Sequence, residues 1–183
     1  MIYSRQKTIE AFDAGEKLKF LFFWGHQPSK DGTIIKSCFS QWWPSDFSIN
    51  MVKYKTAEHY MMAEKAKLFH DEDVLKEILL SDHPHDAKKL GRKVKNFDDL
   101  LWNQHKYDFV KQGNYNKFSQ NEDLKQFLLS TKNRIIVEAS PRDRIWGIGM
   151  SESNEKAQNP NLWRGENLLG FALMEVRDML ETQ

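Results

Sequence analysis

The sequence predicts an α+β fold, mainly helical, built as one compact domain with a few short strands. Three observations predict it. Helical periodicity with start and stop signals recurs along most of the chain after residue 55, whereas β-type runs are short and scattered. The length of 183 residues suits one domain over residues 1–183 and is enough to bury a sizeable core. Composition is ordinary for a globular protein, with 40% hydrophobic and 29% charged residues.

The elements follow in order. The aromatic, apolar run "LKFLFFW" (18–24) reads as a buried strand, and "GHQPSKDG" (25–32) is turn chemistry. "SCFSQWWPSDFSI" (37–49) is aromatic-rich and broken by Pro44. "NMVKY" (50–54) reads as a short strand. Thr56 is placed to cap a helix whose first turn holds Ala57 and Glu58. Further helices are predicted over 71–81 and over 83–94, the latter with Pro84 in its first turn and Gly91 near its end. Helices are also predicted over 96–118 and 121–131. "RIIVEAS" (134–140) is a strand, and 166–182 is the closing helix. Between these last two lies a polar, glycine-containing segment, 141–165, and an irregular stretch of that length inside a domain is usually functional.

Charge and cysteine content narrow the function classes. Twenty-seven basic residues face 26 acidic ones, so no global electrostatic footprint for nucleic acid exists and any such contact is local. The lone cysteine, Cys38, permits neither an intrachain disulfide nor a Cys-based metal cluster and reads as a small buried hydrophobe. "HPHD" (83–86) lacks helical metal spacing, and no metal or cofactor is expected. There is no signal-type apolar core near the start, and "FLFFW" is too short to span a bilayer. A cytoplasmic location without membrane contact is therefore expected.

Four features resist a purely structural explanation. In "KTAEHYMMAEKAKLF" (55–69), Glu58 and Lys65 are seven residues apart and nearly align, on the side that also carries Met61, Met62, Leu68 and Phe69. A first-turn carboxylate at a helix N-terminus and a snorkelling lysine account for either alone, but less well for both on one apolar face. Glu175 interrupts the apolar side of the closing helix (Leu168, Ala172, Val176, Met179), where a structural partner such as an arginine would satisfy it. Trp42, Trp43, Trp146 and Trp163 fall in segments without regular structure, as lids on the core or as stacking surfaces for a flat ring. "EASPRDRIWGIG" (138–149) ends a strand in a loop with Asp143, Trp146, Gly147 and Gly149, where glycine permits close backbone approach. No P-loop, G-x-S-x-G elbow or H-E-x-x-H helix is found in the sequence.

The ordered pieces "FLFFWG", "FSQWWP", "TAEHYMMAEKAKLF", "AKKLGR", "LLWN", "IVEASPRDRIWGIG" and "ENLLGFALMEVR" resemble the NADAR, or YbiA-like, family over about residues 18 to 180. The resemblance implies a mainly helical α+β domain that hydrolyses N-glycosidic bonds. One branch of the family acts on phosphoribosylated pyrimidine intermediates of riboflavin synthesis. Another removes ADP-ribose from guanine, in some cases as the antitoxin to an ADP-ribosyltransferase toxin. Carried over by motif, Glu58, Lys65 and Asp143 are the implied catalytic residues, and Trp102, Trp146, Arg92, Gly147 and Asn167 the implied substrate-binding ones. The segment 150–163 departs from the family pattern in being longer and more polar.

The chemistry suits these residue types. Breaking an N-glycosidic bond builds positive charge on the ribose, which a carboxylate such as Glu58 stabilises while activating water. Three roles are open to Lys65: holding Glu58 in place, binding a phosphate, or attacking C1 of the opened sugar to form a Schiff base. Three readings are carried forward. They are removal of ADP-ribose from guanine in nucleic acid, cleavage of a small phosphoribosylated pyrimidine, and ADP-ribose binding without turnover.

Overall fold

The computed structural model describes residues 1–182 and is α+β, with seven helices and two small two-stranded sheets among those residues. The chain divides into two compact units. One is continuous, Gln41–Glu122, and the other is built from both ends of the chain, Met1–Ser40 and the residues from Asp123 on.

Strand β1 (Phe20–Phe23) belongs to the second of these units; the continuous unit opens on an antiparallel hairpin of β2 (Phe47–Ile49) and β3 (Val52–Tyr54). Only β3 was expected. The turn residues Asn50 and Met51 have φ of 49° and 65°, as the two-residue hairpin turns with left-handed central positions require. Asn-Met is not the Asn-Gly pair that signals such a turn, so β2 was hidden in the aromatic stretch. The Gln120 side chain straps β2, accepting from Ser48 N at 2.9 Å and donating to Ser48 O at 2.8 Å.

Helix α2 (Ala57–Leu68) is the hub of this unit. Its start is fixed as predicted by Thr56, whose hydroxyl accepts from His59 N at 3.3 Å. Helices α3 (Glu72–Leu80), α4 (Pro84–Gly91) and α5 (Asp99–Ser119) all pack on α2. Two glycines let them come close. A Cβ on Gly113 would lie 2.6 Å from the Tyr60 ring, and one on Gly91 would collide with the Met62 sulfur. Residues 57–63 are consequently buried all round, which is the burial pattern of a central helix and not of a surface one.

In the other unit, β1 pairs in parallel with β4 (Ile135–Glu138). Helix α7 (Leu168–Glu181) packs on β4. Helix α6 (Glu122–Leu129) completes the regular elements, with α1 (Arg5–Asp13) at the start. Helix α1 was not expected. It begins at Ser4, whose side chain accepts from Lys7 N at 3.2 Å. Its single buried residue is Thr8, so it lacks the apolar stripe that sequence periodicity detects.

Helix α7 differs from the expected one-sided helix. It is buried over Leu169–Arg177, while Met179, expected on the apolar side, is 43% exposed. Glu175 Oε1 accepts from the main-chain N of Ile2 at 2.6 Å. The buried Arg177 donates to Thr131 Oγ1 and to Arg134 O at 3.0 and 2.9 Å.

The segment 141–165 is packed rather than loose. It contains two 3-10 turns, Glu155–Gln158 and Pro160–Leu162. The buried Trp163 ties them down, donating Nε1 to Ala157 O at 2.7 Å and meeting Phe20 edge-on at 5.8 Å. Trp43 is buried as well, so both rings belong to the core, whereas Trp42 and Trp146 keep partial exposure. No helix among the described residues is long and apolar enough to cross a membrane.

Candidate active site

The predicted residues fall into two groups, one in each unit. In the continuous unit, Glu58 is 2% exposed and donates its main-chain N–H to Gln41 O at 2.9 Å. Gln41 is held in turn by Asn114, whose Nδ2 donates to Gln41 Oε1 at 2.7 Å. A buried polar patch from α5 and the residues before β2 thus stands at the first turn of α2. The next residue, His59, is also buried, and burial holds its pKa below the ordinary 6.5. Its Nδ1 shares a 2.8 Å hydrogen bond with the Thr56 hydroxyl.

Two turns along α2, Lys65 is half-buried, with Nζ 4.0 Å from the centroid of Phe97 and 5.6 Å from that of Trp102. Burial lowers its pKa, Asp99 opposes that shift, and the charge of Arg92 adds to it. The structure thus sets Lys65 against Trp102 and adds Phe97, while Arg92 lies near enough for its charge to act on the lysine. Phe97 precedes the N-cap Asp98 of α5 and Trp102 is the fourth helical residue. These are the two positions a hydrophobic staple joins, and here both rings face one ammonium. Aromatic residues at that spacing around a capping Asp were the available signal for Phe97. Phe97 rests against Phe69 at 5.2 Å, so the lysine's cage is anchored in α2's own C-cap.

Glu64 and Lys67, also on α2, form a 2.7 Å ion pair with each other. A cleft of about 520 Å³ opens near the end of α2, lined by Leu68, Phe69, His70, Asp98, Leu100 and Leu101 among others. None of the predicted site residues lines it.

In the other unit, Asp143 shapes the loop after β4. Its Oδ1 accepts from the main-chain N of Ile145 at 2.8 Å and of Trp146 at 2.7 Å, an Asx-type turn that sets where the Trp146 ring is presented. Gly147 is pressed on β4, because a Cβ there would stand 2.7 Å from Glu138 O. Its close approach is thus to the strand's own carbonyl.

Asn167 was expected to bind substrate. Here it is fully buried, and both polar atoms of its side chain hold β4. Oδ1 accepts from Glu138 N and Nδ2 donates to Ile136 O, each at 2.9 Å. A Cβ on Gly170 would collide with the same Ile136 carbonyl. The N-x-x-G pattern is therefore a clamp between the start of α7 and β4.

Comparison with known proteins agrees with this architecture. The NADAR domain family matches residues 22–181. The N-glycosidase R617 of Acanthamoeba polyphaga mimivirus is 44% identical over 165 residues, covering 87% of this chain and 95% of that protein. The maize chloroplastic riboflavin biosynthesis protein PYRR is 34% identical over 131 residues, 68% of this chain but 19% of that protein. An NMR structure of the Escherichia coli protein YbiA superposes with a TM-score of 0.68 at 26% identity, covering 90% of this chain and 86% of that one. Matched along nearly its whole length in sequence and in fold, the chain belongs to the NADAR domain family.

Proposed function

We propose that this N-glycosidase of the NADAR family hydrolyses the bond between ADP-ribose and a guanine base in nucleic acid. The observation that carries the reading is the state of Lys65. A half-buried amine over two aromatic rings, with a depressed pKa, holds more of its neutral, nucleophilic form than a surface lysine. Glu58 lies on the same helix, two turns earlier.

The proposed step balances as follows. The Lys65 amine attacks ribose C1, the C1–N bond to guanine breaks, and the base leaves with a proton. Opening of the sugar ring gives an imine between C1 and Nζ, with the ring oxygen becoming a hydroxyl. Water then adds to C1, directed by Glu58 as base, and expels the amine, leaving free ADP-ribose. Direct attack of Glu58-activated water on C1 gives the same products without the imine. In this reading Trp102 stacks on base or ribose, and Arg92 meets a phosphate. Asn167 and Gly147 hold β4 and its loop in place, and Asp143 sets the turn that presents Trp146. An ADP-ribosyltransferase that modifies guanine supplies the substrate in the cytoplasm, and the chain then serves as its antitoxin.

The likeness to the maize riboflavin biosynthesis protein favours a second substrate with the same bond type, a phosphoribosylated pyrimidine. The discriminating experiment incubates the purified protein and its Glu58→Gln variant with a guanine-ADP-ribosylated oligonucleotide and with the phosphoribosylated pyrimidine, following mass. Release of ADP-ribose by the wild type alone supports the first reading. Cleavage of the pyrimidine alone replaces it with the second, and tight ADP-ribose binding without any cleavage replaces both with a binding module.

A further inference from the structure

We infer that Arg144 and Arg164 form a paired-guanidinium contact for the phosphodiester backbone of a nucleic-acid substrate. The inference rests on the nucleic-acid reading above and deepens it by naming a surface that selects a polymer over a free metabolite.

The two arginines are brought side by side by the packing of their loops. Arg164 N donates to Ile148 O at 2.9 Å, and Glu166 N donates to Arg144 O at 3.0 Å, so the chain around 164–166 runs against 144–148. Glycines make that approach possible. A Cβ on Gly165 would stand 2.7 Å from Arg144 Cα. Gly149 has a φ of +68°, and a Cβ there would stand 3.0 Å from Arg164 Cβ and 3.1 Å from Arg144 Cγ. Both arginine stems therefore pass over one bare glycine.

Both residues are exposed, and neither guanidinium has an ion-pair or hydrogen-bond partner among the described residues. The nearby acids are engaged elsewhere. Glu166 faces Arg5 at 3.7 Å, Glu152 pairs with Lys36 at 2.7 Å, and Asp143 Oδ1 takes two main-chain N–H groups. Arg142, one residue before Asp143, is likewise exposed and unpaired. A chain with almost equal numbers of acids and bases thus keeps Arg144 and Arg164, whose stems meet over Gly149, without a counter-charge among the described residues. Adjacent like charges repel, and an anion removes the repulsion. Arginine's planar fork matches phosphate oxygens. Their exposure suits a phosphate that remains outside an enclosed pocket, as in a polymer backbone; the other source of the same chemistry is the diphosphate of ADP-ribose.

The test measures binding, so it does not depend on turnover. Fluorescence anisotropy of a labelled, unmodified 12-nucleotide single-stranded DNA is recorded against salt for wild type, Arg144→Gln/Arg164→Gln and Arg144→Lys/Arg164→Lys. Calorimetry with ADP-ribose is run in parallel, and thermal unfolding confirms that the variants fold. The expected result is a Gln variant about 10-fold or more weaker on DNA at low salt. Its slope of log affinity against log salt should be shallower by about 1.4, from two lost phosphate contacts at roughly 0.7 each. The Lys variant should keep most of the slope, and ADP-ribose binding should be unchanged in both. No DNA binding by wild type, or an unchanged slope in the Gln variant, would overturn the inference. Loss of ADP-ribose binding with an unchanged DNA slope would also overturn it, assigning the pair to the diphosphate. Failure of the glycosidase reading shows separately, as absent cleavage with salt-sensitive DNA binding intact.

Discussion

At the scale of single residues, the account turns on Lys65. Its amine is desolvated over Phe97 and Trp102, disfavoured further by Arg92 and favoured in its charged form by Asp99. If the neutral amine is the reactive form, activity appears as pH rises through the Lys65 pKa, giving an acid limb. Removing Arg92's charge as Arg92→Gln raises that pKa and moves the limb to higher pH. Phe97→Ala, which wets the amine, moves it the same way. Asp99→Asn lowers the pKa and moves the limb to lower pH. The pH dependence of single-turnover rates checks all three directions at once, and a limb that ignores all three substitutions removes Lys65 from the chemistry. Lys65→Met should lower turnover by about 10³-fold or more, the order expected when a nucleophile is deleted.

Phe97 shows why this site was only partly legible. The alignment of Lys65 with Glu58 on one side of α2 could be read from helical spacing, because α2 supplies both. The cage could not, since it depends on where the residues before α5 fold back, and only the staple spacing around Asp98 hinted at it. Asn167 shows the converse. A polar residue in a family motif read as a substrate contact, but polar identity alone does not separate a ligand contact from a clamp on a neighbouring strand.

At the scale of elements, two close approaches carry the architecture that presents these groups. Gly170 lies against the Ile136 carbonyl, a rigid main-chain atom. Gly170→Ala should therefore destabilise by roughly 1–3 kcal/mol or more, as overpacking does, measured by denaturant unfolding. Gly113→Ala should cost less, because the Tyr60 ring it meets can shift by rotation of its side chain. Thr56→Ala removes the cap of α2 and should cost about 1 kcal/mol. Helices α2, α3 and α4 and strands β1 and β4 were readable from caps, Pro84 and apolar runs. Strand β3 was readable too, but its pairing with β2 and helix α1 were not, because one turns on a non-glycine pair in left-handed conformation and the other lacks an apolar stripe.

At the scale of the whole molecule, the partition into two units follows contacts between distant parts of the chain, which periodicity and composition do not record. The family match nevertheless runs through both. One global property can be predicted from a single buried group. His59 has a folded-state pKa below 6.5 because burial disfavours its charge, with the Ser81 carbonyl opposing. The unfolded chain therefore takes up a proton first as pH falls. His59's contribution to stability is full above about 6.5 and is lost as pH drops from there through the lower folded-state value. Urea unfolding between pH 7.5 and 5 should show that loss in the wild type and a smaller one in His59→Gln. Equal slopes would assign the acid sensitivity to other groups.

The central claim is that Lys65 on α2 opens an N-ribosyl bond to guanine. The most direct measurement is a mass spectrum of the intact protein after reaction with a guanine-ADP-ribosylated oligonucleotide in the presence of borohydride, followed by peptide mapping. The account predicts release of the unmodified oligonucleotide and a reduced ADP-ribose adduct on the peptide carrying Lys65, absent in Lys65→Met. Release of ADP-ribose with no adduct, and undiminished in Lys65→Met, would contradict it.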